Sequence, residues 1–421
     1  MVRRWAWRAR GSADRSGSWG PALAAGLIVL AAASHAQAQE PTREGVIAAQ
    51  VAEKEKSLRP VLRTRIEEIM LFVEQQRVLE RLAAEREGLY PRFGGLVTGS
   101  GVAVGPGYRR HFGYDGVWDV SAAISLKSYK VIEGRVRLPT FGRDTLRADA
   151  LARFLDYPQQ RFFGLGPDTR KADKTSFGIS QFNTSAGLTF QPGRAFFVGG
   201  RVGMTTPDIG SGHLRRFPSI EQRFTDPEAP GLVRQPDFLF GEFHVGVDYT
   251  DFPLNPRVGG RQRVAFTRYA DRDLDAYSFN RIEIEAMQLL PFFDRRRIIA
   301  LRGHLVTTDA DRGHDVPFYL MPTIGGSHAL RGFEPDRFRD RNMLALSAEY
   351  RWEVFAALDM ALFYDLGTVA PRRQGLRLDD LKDTYGIGFR FSTRRRLFVR
   401  FDIARGGGEG TRFYLKFGPS Y

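Results

Sequence analysis

Glu349, Asp359 and Asp365 are the side chains best spaced for chemistry, because all three fall on the polar side of strand-like alternating stretches. Two carboxylates facing each other across a cleft can divide general acid and general base duties. Asp359 and Asp365 read better as solvated lining of a polar face than as such a dyad. Other catalytic patterns are weak. Gly325-Gly326-Ser327-His328-Ala329 lacks the last glycine of a G-x-S-x-G nucleophile turn. The seven histidines include no H-E-x-x-H pair, so no metal site is expected. Gly99-Ser100-Gly101 resembles the start of a dinucleotide loop, but no helix follows it. The chain therefore reads as a non-enzyme without cofactor or metal.

The elements that must position these residues are strands. Leu344, Leu346, Ala348, Tyr350 and Trp352 alternate with Ala345, Ser347, Glu349 and Arg351. Leu358, Met360, Leu362 and Tyr364 alternate with Asp359, Ala361, Phe363 and Asp365. The same period continues through Tyr385–Ser392, Leu397–Ile403 and Arg412–Phe417, and the chain ends on Tyr421. One face is apolar and aromatic, the other small or charged, and the strands are longer than is usual in sandwiches. This pattern fits an all-β transmembrane barrel whose polar face lines the lumen. Short turns at Gln191–Arg194, Phe293–Arg296 and Ser392–Arg395 fit the periplasmic side, and long connections at Asp156–Lys174, Ile209–Gln235 and Asp309–Asp340 the outside. Eleven strands precede the last of these loops and five follow, with Arg92–Gly99 as a short first strand hairpinned at Ser100, so the expected barrel has sixteen.

Ahead of the barrel, residues 1–38 read as a signal peptide: Arg3, Arg4, Arg8 and Arg10, an apolar stretch at Pro21–Ala33, then Ala36-Gln37-Ala38. Residues 39–90 read as a periplasmic helical segment, with Leu62, Ile66, Ile69 and Val73 on one face. That helix could rest on the barrel rim or self-associate as a short coiled coil. Residues 91–421 are the barrel. Cysteine is absent, so rigidity must come from a source other than disulfides, and a closed hydrogen-bonded barrel is one. The net charge is +14, of which residues 1–38 carry +4 and the remainder +10. After export such a surplus points to anionic lipid phosphates and a polar lumen rather than to nucleic acid.

Three stretches then resemble the BamA/TamA family of bacterial surface-antigen barrels. Gly325–Phe333 is similar to the family's sixth extracellular loop, with its arginine-glycine-aromatic motif at Arg331, Gly332 and Phe333. Glu349 stands on the next strand, and Phe363-Tyr364-Asp365-Leu366-Gly367 resembles the F-x-D-x-G motif of the strand after it. Residues 101–139, with an aromatic-glycine turn at Phe112-Gly113, follow the family's early strands. The resemblance implies that the loop folds inward, that Arg331 pairs with Glu349 and Asp365, and that Gly332 lets the backbone turn beside the wall. Without it, Arg331 would simply meet solvent in an exposed turn. It also implies a weak seam between the first and last strands, here Gly94, Gly95 and Gly99 against Phe413 and Phe417. Glycine pairs poorly in strands, which suits a lateral gate and suits a frayed barrel end equally.

The family's members assemble or translocate other chains at the outer membrane, so the resemblance implies outer-membrane lipids, unfolded outer-membrane proteins or a periplasmic protein as partners. The sequence departs from the family where periplasmic polypeptide-transport-associated domains should stand, for residues 39–90 are too few for them. A stand-alone pore, lipid-handling barrel or surface scaffold is the alternative. Some relatives carry a patatin-type lipase, for which no room is left here.

Overall fold

A computed structural model of the chain describes residues 87–213, 216–355, 357–392 and 397–417. The expected signal peptide, the helical segment up to residue 86 and Tyr421 lie outside the described residues. Eleven strands run first: β1 (Gly88–Gly95), β2 (Val102–Phe112), β3 (Gly116–Ser125), β4 (Lys130–Arg137), β5 (Leu146–Phe162), β6 (Thr175–Phe190), β7 (Phe196–Ser211), β8 (Phe238–Asp248), β9 (Gly259–Asp271), β10 (Phe279–Phe292) and β11 (Arg297–Ala310). Two short strands follow inside a long loop, β12 (Thr323–Ile324) and β13 (Phe338–Arg339). Then come β14 (Asn342–Phe355), β15 (Leu358–Ala370), β16 (Lys382–Ser392), β17 (Leu397–Gly406) and β18 (Thr411–Phe417).

Every wall strand pairs antiparallel with its neighbour in sequence, and β11 pairs directly with β14, giving one sheet of sixteen strands. The loop between β11 and β14 therefore leaves the wall without interrupting it. β12 and β13 pair only with each other inside that loop. Among the described residues no ladder joins β1 to β18, so the barrel is closed at every position but one.

Period-two alternation sets the facing. On β15, Leu362 and Tyr364 are exposed, while Ala361, Phe363 and Asp365 between and beside them are buried. The outside of successive strands carries Val104, Val120, Ile132, Phe154, Phe182 and Val202, all exposed. A continuous apolar belt of this kind is tolerable only against lipid. The larger buried apolar clusters lie at the end that bears the long loops, where Phe162, Phe177, Ile220 and Phe318 pack together, while Met287, Leu289, Ile298 and Ala300 form a smaller one beside the short β10–β11 turn.

Two boundaries differ from the sequence expectation. The first strand starts at Gly88 and ends at Gly95, so Leu89 and Tyr90 are barrel rather than helix, and Gly99 lies in the following turn. Glycines at positive φ (Gly94 at 148°, Gly99 at 93°) bend the chain early, and Ser100 Oγ accepts the Leu96 and Val97 N–H groups at 3.3 Å. The loop expected from Asp156 begins only after Phe162. A register shift between Tyr157 and Gln160 carries Pro158 within the strand instead of ending it.

Candidate functional site

The β11–β14 loop turns inward and inserts Arg331 between β14, β15 and β16. Its guanidinium donates to both Asp365 oxygens (Nη2–Oδ1 2.7 Å, Nε–Oδ2 2.8 Å), and the Arg331 backbone N–H reaches Oδ2 at 3.2 Å. Nη1 donates to Glu349 Oε2 at 3.0 Å and Nη2 to Ser347 Oγ at 3.3 Å. Its plane lies 3.3 Å from the centre of the Phe363 ring. Only 3% of Arg331 is exposed. Burial alone would weaken its hold on the proton, but Asp365 above all, with Glu349 and Asp402, outweighs that and raises its pKa further.

Sequence reasoning brought Arg331, Glu349 and Asp365 together, and the structure places them in contact. It missed how far the cluster extends. Glu349 also takes Arg351 (2.6 Å) and Arg390 (2.7 Å), and Asp402 takes Arg390 (3.1 Å) and Arg400 (2.5 Å). Four buried guanidinium groups thus share three buried carboxylates. The alternation already put Arg390, Arg400 and Asp402 on the polar face, but it carries no information on the register between strands, which decides who meets whom. Gly388 makes the room: a Cβ there would stand 2.2 Å from Arg390 Nη1 and 2.5 Å from Asp402 Oδ1.

Gly332 and Phe333 act through space and packing. A Cβ on Gly332 would meet the Arg405 carbonyl carbon and the Gly406 nitrogen at 2.6 Å, so the loop backbone lies directly on β17. The left-handed residue of this turn is Leu330, at φ 54°. Phe333 is buried with Ile324, Leu330, Phe338, Met343 and Val369, edge-on to Phe338 at 5.2 Å. Its carbonyl accepts the Tyr414 hydroxyl of β18 at 2.6 Å. Next in the chain, Glu334 accepts Lys174 at 2.5 Å and Arg412 at 3.1 Å. On the other side Ser327 Oγ lies 3.0 Å from Thr98 Oγ1, beyond β1. The loop thereby touches both edges of the unpaired seam.

Residues 235–421, from just before β8 to the end, match the Omp85 superfamily domain. The barrel is similar to the crystal structure of BamA from Haemophilus ducreyi lacking POTRA domains 1-3, with TM-score 0.60 and 16% identity over 80% of this chain and 70% of that one. CdiB from Escherichia coli matches with TM-score 0.51 and 13% identity over 79% of this chain and 62% of the other. At such identities the likeness is one of fold. No curated protein matches in sequence. In this barrel, Gly94 and Gly95 lie on β1 and Phe413 on β18, where it is 64% exposed to the lipid side. Phe417 ends β18, and its side chain is outside the described residues.

Proposed function

We propose that this protein is an outer-membrane assembly or translocation factor whose inward loop holds both edges of an openable barrel. The observation that carries the reading is the buried Arg331 network: it fixes a loop that also touches the segment after β1 and the last strand, β18. Charges sequestered in this way lock a conformation, since freeing one partner leaves others buried and unpaired. The β1–β18 edge, without a ladder among the described residues, is then where the wall can part, and outer-membrane lipid and an unfolded outer-membrane protein are the partners it would meet. Nothing in this mechanism breaks a covalent bond, and it uses no cofactor. The short-turn end faces the periplasm, where a periplasmic protein or a second copy could dock.

Reconstitution into liposomes tests this directly. The protein should speed insertion of an unfolded outer-membrane protein, and Arg331→Ala should lose that acceleration. No acceleration from a barrel shown to be folded would move the reading to a stand-alone pore, lipid-handling or scaffold barrel.

A further inference from the structure

The inward loop fills only part of the lumen. A polar cavity of about 1380 Å³ remains, lined by residues of β1–β9 and of the short turns between them, with none from the long loops. At the opposite end the packed aromatic cluster around Phe162, Phe177 and Phe318 covers the barrel. The cavity is thus a vestibule that faces the short-turn side.

Its charge is lopsided. Ten arginines and five carboxylates line it, a surplus of five positive charges. Each carboxylate is already held within 3.8 Å by a lumen arginine, as Asp119 is by Arg109 and Asp149 by Arg201, both at 2.8 Å. Arg92, Arg137, Arg147 and Arg194 have no carboxylate partner among the described residues, and Arg92 reaches only Ser121 Oγ, at 2.8 Å. Three of the four gather at the mouth: Arg137 ends β4, Arg147 stands at the start of β5, and Arg194 lies in the turn after β6. Those three are exposed, so the guanidinium groups meet water rather than wall. A concave, low-dielectric wall focuses the field of unbalanced charges into the space it encloses. The guanidinium fork matches two oxygens of one phosphate, which a lysine cannot do.

We propose that this vestibule binds multivalent phosphate-type anions entering from the short-turn side, with Arg137, Arg147 and Arg194 at its mouth and Arg92 deeper inside. The site is separate from the Arg331 network and does not rest on the assembly reading. A lipid headgroup and a soluble polyphosphate present the same chemistry to it.

The test is calorimetric titration of tripolyphosphate into the full-length protein in phosphatidylcholine nanodiscs, at fixed ionic strength. Saturable binding is expected, weakened about tenfold or more in the R137Q/R147Q/R194Q variant, since each lost charge-assisted bond removes at least that much. Arg92→Gln, deeper in the cavity, should weaken it independently. The four stand on β1, β4, β5 and the turn after β6, whereas the Arg331 cluster is held by β14–β17, so the variants should keep the wild-type heat-dependent gel shift that reports folding. Repeating the titration with phosphatidylglycerol in the nanodiscs separates the sources: competition identifies a lipid headgroup, and persistence a soluble anion, and both uphold the site. No saturable heat from the folded protein, or equal affinity in wild type and both variants, overturns it.

Discussion

Arg331 meets Asp365 through two side-chain bonds and one backbone bond, and Glu349 through another, with almost no water in reach. Its removal leaves three buried acids facing three arginines, with Asp365 stripped of its arginine, and removal of Asp365 leaves the guanidinium without its main partner. Either Arg331→Ala or Asp365→Ala should cost about 3–5 kcal/mol. The measurement is the conversion from fast- to slow-migrating form on a gel in detergent, which should occur at lower temperature in both variants. Unchanged conversion in both would remove the lock. Gly332→Ala is a sharper probe, because it alters no charge. A Cβ 2.6 Å from the β17 backbone must push the loop outward, so it too should convert early, and its loss should not add fully to that of Arg331→Ala. The three central residues of this site were legible because each sits in its own motif and the alternation points the carboxylates inward. Arg351, Arg390, Arg400 and Asp402 were not, since which lumen charges become neighbours depends on the stagger of β14, β16 and β17, and local sequence does not encode stagger.

The loop as an element is held at a second point by Glu334. Burial alone would raise its pKa, but the Lys174 hydrogen bond and the charges of Lys174, Arg412 and Arg161 outweigh burial and hold it below the ordinary 4.5. A depressed carboxyl stabilises the docked loop above its ordinary value, and that contribution is lost as pH falls through the lowered one. The docked loop should therefore loosen only under acid conditions, below pH 4.5, seen as faster cleavage of residues 311–341 by an acid-active protease. Glu334→Gln should loosen it at neutral pH by about 2 kcal/mol and remove most of the acid dependence. Strand order, strand number and the two kinds of turn were all readable from alternation and glycine spacing. The extension of β5 past Pro158 was not, because a bulge suspends the usual rule that proline ends a strand.

At the scale of the whole molecule the unpaired edge matters most. The chain has no cysteine, so a Thr98→Cys, Ser327→Cys pair can form only one intramolecular disulfide. The two hydroxyls stand 3.0 Å apart, close enough for such a bridge to be built with small shifts. Oxidised, this variant should resist conversion to the slow-migrating form and should insert clients poorly, with both effects reversed by reductant. Full insertion activity in the oxidised protein would show that the loop need not leave the seam. The same contact also has a bearing on how the barrel is made. Wall strands pair with partners next to them in the chain, whereas Thr98 and Ser327 are 229 residues apart. Hairpins close small loops at little entropic cost, but this contact can form only when the entire sheet has already curled round. Docking of the loop is then the last event of biogenesis, and a barrel caught before it would have its wall complete and its latch still undone.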